Sequence, residues 1–345
     1  MTEVITIGLD LAKSVFQVHG VDASGKPVIR RQFRRRQVLP FFKKLPPCLV
    51  GMEACATSHY WAREIAALGH EVRMMPARYV KAYVKRNKND AADAAAICEA
   101  VTRPTMRFVA VKSAEQQSVL MLHRGRELLI RQRTMLVNAL RGHMAELGIV
   151  APQGLPRVKA LLAVIADETD ARVPPVARSC LAGLARQLMS LGQEIGQIER
   201  AILAWPRSNE ASRRLEAIPG IGPITASALV ASVTEPSLFK SGRGLAAWIG
   251  LVPREDSTGG KTRLGPISKQ GDPYLRWLLV VGAISVIRQA RRKDPANMPW
   301  LARLIARRPI KVAAVALANK MARMAWVLLL RGEAYRPPAV APAAR

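Results

Sequence analysis

The first 110 residues alternate between short apolar runs and amphipathic stretches. Residues 4–9 (VITIGL) form a run of strand length, and residues 14–21 alternate apolar and polar positions as a half-buried neighbouring strand does. A DASG turn at 22–25 and a return over 27–33 complete a three-strand meander. A short helix follows, then a fourth strand over 48–53, a helix over 58–68, a fifth strand over 70–75 and a helix over about 89–101. The pattern predicts an α/β unit.

From Ser113 the period changes to that of long helices. Ser113 and Gln116 form a capping box, and the stretch to Leu147 contains no proline. A second long helix, about 176–205, places Leu181, Leu184, Leu188, Leu191, Ile195, Ile198 and Ile202 at alternating steps of three and four, an a/d seam. The matching seam in the first helix, Leu122, Leu129 and Leu136, is interrupted by arginines. The pair reads as an antiparallel coiled-coil arm for self-association; the alternative is a helix packed on its own domain. Beyond Pro206 the chain is mainly helical, punctuated by glycines and very basic, and the proline-rich tail from residue 336 is expected to be disordered.

Charge narrows the function. Fifty-three Lys and Arg against 25 Asp and Glu leave +28. Counted along the chain, the excess is +9 over residues 1–115, +4 over 116–205 and +15 over 206–345. Such an excess strains a compact fold unless a polyanion neutralises it, which points to nucleic acid. Aromatic residues are only 5%, so phosphate contact should outweigh base stacking. Cys48, Cys55, Cys98 and Cys180 show no CxxC spacing and the five histidines no zinc pattern. The chain enters its first strand without a signal peptide, and the longest apolar run, 277–287, is too short to span a bilayer. A cytoplasmic protein without a membrane partner is expected.

Four acids carry candidate chemistry. Asp10 ends the first strand and Glu53 the fourth, which aims both at an exposed sheet edge. Asp90 and Asp93 lie three apart on one helical face. Four converging carboxylates repel one another unless hard divalent cations sit between them, and two such ions can grip the attacking and leaving oxygens of a phosphodiester. Each acid alone has a plainer reading, a turn former or a helix cap. Asp22, in its turn before Gly25, is read in that plain way.

Two glycine-rich stretches stand nearer the C-terminus. Residues 218–226 (IPGIGPITA) suggest a helix-hairpin-helix in which Gly220 and Gly222 expose amides that can hold a phosphate. The alternative is a plain helical corner. Residues 250–272 (GLVPREDSTGGKTRLGPISKQGD) carry the hydroxyls of Ser257 and Thr258 among Arg254, Lys261, Arg263 and Lys269, with Arg276 in the following helix. By residue type alone this is first a phosphate-binding loop and second a nucleophile loop. No histidine is near in sequence to activate a hydroxyl.

Three meandering strands followed by alternating helices and strands is the element order of the RNase H fold. Taken together, the chain resembles the insertion-sequence transposases with a RuvC-like DEDD domain, the IS110 family and especially its IS1111 branch. The likeness covers residues 3–335 and is carried by GLDLAK, GMEA, KNDAADA, IPGIGPITA and the long serine stretch. It implies an RNase H-like (RuvC-like) domain over 1–112, a coiled-coil arm over 113–205, and a mainly α transposase domain with a helix-hairpin-helix over 206–335, ahead of a tail over 336–345. It places a DEDD tetrad on Asp10, Glu53, Asp90 and Asp93, holding Mg²⁺ with Mn²⁺ as a substitute. It further implies a serine that attacks double-stranded DNA to form a covalent phosphoserine, and a structured noncoding guide RNA that bridges donor and target. Many relatives carry two serines before the glycine pair, whereas this chain has Ser257 then Thr258; the nucleophile is assigned to Ser257, with Thr258 as the alternative. A homodimer or tetramer is expected, and the long sequence separation of acids and serine leaves open whether one subunit or two complete the site. Two rival readings use the same residues: a RuvC-like nuclease in which water attacks, and a non-catalytic nucleic-acid-binding protein.

Overall fold

The computed structural model describes residues 3–84, 90–292 and 298–337. The chain divides into two compact units, Met1–Gln117 and Ser118–Arg345.

The first unit is built on a five-stranded sheet. Strands β1 (Thr6–Leu11), β2 (Val15–Val21) and β3 (Pro27–Arg34) form an antiparallel meander; helix α1 (Val38–Phe42) leads to β4 (Leu49–Glu53), and α2 (Ser58–Ala67) to β5 (Glu71–Met75). The order is β3-β2-β1-β4-β5, with β4 parallel to both β1 and β5. Strand β1 is central because its residues from Thr6 to Leu9 are all buried. One sheet face, carrying Ile7, Leu9, Phe16, Val18, Val50 and Met52, packs on Val38 and Phe42 of α1 and Trp61 and Ile65 of α2. Complete burial of side chains such as Phe42 and Ile65 contributes about 1.5–3 kcal/mol each. After the short α3 (Ala77–Val80), α4 (Asp90–Val101) covers the other face. Asn89, at the expected helix start, lies outside the described residues. Asp22 closes the β2–β3 turn, where its carboxylate accepts from the Ser24 and Lys26 amides and the Ser24 hydroxyl. The Ser24 hydroxyl above all holds its pKa below the usual carboxylate value.

The second unit is mainly helical. Helix α5 (Ala114–Glu146), capped as expected by Ser113 and Gln116, runs antiparallel to α7 (Pro175–Ser208). Arg126 meets Glu199 at 2.6 Å near one end, while Leu140 and Met144 share a core with Leu181 and Ala185 near the other. Between them lies α6 (Leu155–Ala166), which the sequence reading did not anticipate. Its Val158, Leu161 and Ile165 pack into that same core with Leu188. The seam residues Leu181, Leu188, Ile195 and Ile202 are therefore buried within a single chain. Helix α7 runs past the expected end at Trp205 and carries Pro206 in its last turn.

Helices α8 (Glu210–Glu216), α9 (Pro223–Ser232), α10 (Gly242–Ile249), α11 (Pro273–Ala290), α12 (Pro299–Arg307) and α13 (Ile310–Arg331) share one further core. Strands β6 (Pro253–Glu255) and β7 (Leu264–Ile267) project from it as an antiparallel hairpin. Among the described residues only α13 is long and apolar enough to cross a membrane. Its Ala313, Leu317, Met321 and Ala325 are buried in the helical core, as a core helix requires.

Candidate active site

Carboxylate oxygens of Asp10, Asp90 and Asp93 all lie within 4.8 Å of one another. Strand alternation and two glycines bring them there. Asp10 shares its sheet face with Gly8, and Glu53 shares the same face with Gly51, because each pair is two residues apart on parallel neighbours in register Gly8 to Gly51. A Cβ on Gly8 would stand 2.1 Å from the Ala94 carbonyl oxygen and 2.5 Å from the Cys98 nitrogen of α4, and one on Gly51 2.7 Å from Val101 Cβ. The missing side chains let α4 lie directly on the sheet, which carries Asp90 and Asp93, one helical turn, to the end of β1. Asp10 and Asp93 are half-buried and Asp90 is exposed.

Glu53 closes β4 one position beyond the Leu9–Met52 pairing, so it ends the strand beside Asp10 without belonging to the 4.8 Å cluster. Three of the four expected acids thus meet, and the fourth stands on the adjoining strand end. Three convergent carboxylates are hard oxygen donors of the kind Mg²⁺ or Mn²⁺ prefers, and their mutual repulsion is relieved when a cation is held between them.

Ser257 lies in the second unit, on the β6–β7 hairpin. The hairpin is extended past the two strands by the Asp256 amide donating to the Arg263 carbonyl at 2.9 Å and by a bridge between Thr258 and Lys261. Gly259 (φ +56°) and Gly260 (φ +76°) occupy the two central turn positions, and the Lys261 amide donates to the Thr258 carbonyl. Two successive left-handed residues make the tight turn whose twist matches a β-ribbon, a geometry glycine adopts without steric cost. The stretch read as a phosphate-binding loop is therefore a β-ribbon, with Ser257 just below its tip. The Ser257 hydroxyl donates to Glu255 Oε1 at 2.9 Å. Arg254, Lys261, Arg263 and Lys269 are all exposed around it, and none is in an ion pair with another described residue.

The same two segments carry the relationships to known proteins. A model of IS110 DEDD transposases, described as "Transposase", matches residues 7–149, and the model described as "Transposase IS116/IS110/IS902 family" matches residues 212–297. The "Probable family 20 transposase" of Pseudomonas aeruginosa is 52% identical over 96% of this chain and 98% of its own length. The chain belongs to the IS110 family of transposases. Further full-length relatives are the "Putative transposase y4pF/y4sB" of Sinorhizobium fredii, 48% identical over 97% of this chain and 86% of its own, and the "Transposase for insertion sequence element IS1111A" of Coxiella burnetii, 39% identical over 97% and 92%.

Within the transposase, the remaining expected site residues divide between exposed and structural positions. Gly222 is the exposed N-cap of α9, with open space where a Cβ would be. Gly220 (φ +91°) instead packs inward: a Cβ there would stand 2.9 Å from Val286 Cγ2 and 3.0 Å from the Gly282 carbonyl oxygen. Arg276 donates to the Ile249 carbonyl at 2.8 Å and the Gln270 carbonyl at 3.0 Å, which pins the base of the serine hairpin. At that base Gly250 and Gly271, both at positive φ, leave no room for a Cβ against the backbone of Gln270 and Trp248.

Sequence reasoning missed the residue that holds the transposase's hairpin helices together. His123 of α5 is 1% exposed. Its Nε2 lies 3.1 Å from Ser227 Oγ of α9 and its Nδ1 3.0 Å from the Tyr274 hydroxyl of α11. Ser227 spends its proton on the Pro223 carbonyl, so it accepts from His123 Nε2–H, and Nδ1 accepts from Tyr274. Burial, with the Arg126 and Arg124 guanidinium groups, lowers the His123 pKa to about 4. Arg124 also pairs at 2.9 Å with Asp272, the N-cap of α11, whose carboxylate accepts from the Tyr274 and Leu275 amides. A histidine inside a long helix gave no sequence signal that its partners lie 104 and 151 residues away.

Proposed function

We propose that this transposase cuts and rejoins double-stranded DNA through a covalent phosphoserine on Ser257, with divalent-metal assistance from Asp10, Glu53, Asp90 and Asp93. The observation that carries the reading is the 4.8 Å cluster of Asp10, Asp90 and Asp93 at the end of the central strand. The β3-β2-β1-β4-β5 order, a meander with two parallel strands added beside β1, supports an RNase H-like domain around that cluster.

Asp10, Glu53, Asp90 and Asp93 would hold Mg²⁺ or Mn²⁺, which would supply Lewis-acid stabilisation of the scissile phosphate. Ser257 Oγ forms a new bond to phosphorus while the bond from phosphorus to a DNA oxygen breaks; the departing oxygen takes a proton from water and leaves as a hydroxyl. Glu255 receives the Ser257 hydroxyl hydrogen and orients Oγ. Because the phosphodiester energy is kept in the serine ester, a DNA hydroxyl can later displace serine without a nucleotide cofactor. The exposed cations Arg254, Lys261, Arg263 and Lys269 supply phosphate contacts around the nucleophile. Gly222 adds free backbone at a helix start, as a helix-hairpin-helix does. A structured guide RNA and self-association through the α5–α7 arm complete the proposal.

The experiment is divalent-dependent strand cleavage by the full chain on insertion-sequence end DNA, compared with Asp10→Asn and Asp93→Asn. Cleavage with Mg²⁺ or Mn²⁺, reduced at least 100-fold in either variant, supports the reading. Cleavage that proceeds equally in chelator or in both variants overturns it.

A further inference from the structure

A second charged surface lies in the first unit, on residues the reaction above does not use. Between Lys26 and Lys44 the chain carries eight Lys and Arg and no acid. Arg30, Arg31, Arg34, Arg35 and Arg36 are all exposed, and none is in an ion pair with another described residue. Strand β3, which carries three of them, is the edge of the sheet.

Register relates this edge to the carboxylates. Asp10 pairs with Gln17 and Gln17 with Gln32; Gly8 pairs with His19 and His19 with Arg30; Val15 pairs with Arg34. Directly paired residues share a sheet face, so Arg30, Gln32 and Arg34 stand on the face that Asp10 occupies. An open groove of ≈ 470 Å³ runs there, lined by Gln17, His19, Arg30 and Gln32 on the sheet and by Ala91 and Ala95 of α4, the helix that bears Asp90 and Asp93. A second depression, ≈ 410 Å³, gathers Lys13, Arg34, Arg35 and Arg36 beside the β1–β2 turn. The helix wall of the first groove is alanine, small and uncharged, so the cations on the sheet side dominate it. Burial, and then the Arg30 guanidinium beside it, lower the pKa of His19.

We propose that Arg30 and Arg34 clamp phosphates of the DNA strand that enters the carboxylate site, with the groove as its path. Gln32 stands two strand spacings, about 10 Å, from Asp10, and Arg30 and Arg34 lie two residues either side of it, so each is about 12 Å from Asp10. At about 3.4 Å of rise per nucleotide along one strand, the clamped phosphates lie about three to four nucleotides from the one at the acids. The contact is to backbone and not to bases, since among the described residues no Phe, Tyr or Trp on which a base could stack lines the groove. Charges on an edge strand also deter strand pairing between molecules, but that role needs no particular sheet face and no groove.

The proposal rests on the reading of the carboxylates for the strand's position, whereas its test does not need cleavage. Binding of the full chain to a 40-base-pair duplex is measured by fluorescence anisotropy, without divalent metal, between about 50 and 200 mM salt. The double variant Arg30→Gln, Arg34→Gln should flatten the slope of log affinity against log salt by about 1.8, two phosphates at about 0.9 each. Arg30→Lys with Arg34→Lys should restore most of the slope, which a folding defect would not. Measured without metal, the slope reads phosphate contact alone, so loss of cleavage and loss of the clamp remain separable. An unaltered slope in the Gln double variant overturns the proposal, as does a change seen with single-stranded RNA of equal length and absent with the duplex.

Discussion

Ser257 donates its hydroxyl hydrogen to Glu255 two residues earlier on the same ribbon strand, with Oγ and Oε1 2.9 Å apart. A strand's period of two puts both side chains on one side of the hairpin, so the pair is set by secondary structure and needs no distant partner. Glu255→Gln keeps the shape and removes the charge that accepts the proton. Strand cleavage should fall by about 100-fold or more, the contribution of a positioned base, while duplex binding stays the same or tightens slightly. Single-turnover rates with the two proteins at matched occupancy check this.

Gly8 is where the fold and the acids depend on the same atom count. Gly8→Ala drives a Cβ into the backbone of α4 at 2.1 Å, so the helix must lift from the sheet. A loss of about 3 kcal/mol or more is expected, together with loss of the stabilisation by Mn²⁺ that the wild type should show in thermal melting. Gly142→Ala, within α5 and with open space around it, should instead stabilise by about 1 kcal/mol.

Much of this arrangement was legible in the chain. Asp10 and Glu53 could be placed at strand ends because apolar runs stop there, and Asp90 and Asp93 could be placed on one face by their spacing. The reason for Gly8 and Gly51 was not legible, since it exists only when α4 arrives from more than 40 residues away. Residues 257–262 lack the β-branched alternation of a strand, so the ribbon was read as a loop; the two glycines were turn residues. What the chain did not show for Arg276 is that Gly250 and Gly271 bring the Ile249 and Gln270 carbonyls within reach of its Nη1. Helix α6 was overlooked because its Ala- and Leu-rich residues mark no polar face.

His123 makes stability depend on pH in a definite direction. Its folded pKa is depressed to about 4 from the ordinary 6.5, so between those values the unfolded chain binds the proton and the folded one does not. Stability is fully present above pH 6.5 and falls as pH drops toward 4. Moving from pH 7 to pH 5 should cost about 2 kcal/mol from this residue, seen as a lower midpoint in urea. A His123→Gln variant should start less stable and lose less over the same range.

The most direct test of the central claim is a denaturing gel of the full-length protein incubated with Mg²⁺ and end-labelled insertion-sequence DNA. Label should migrate with the protein, survive denaturation, and disappear in Ser257→Ala while Thr258→Ala retains it. Cleaved DNA without a protein-linked band, undiminished in Ser257→Ala, would show that water is the nucleophile and contradict the account.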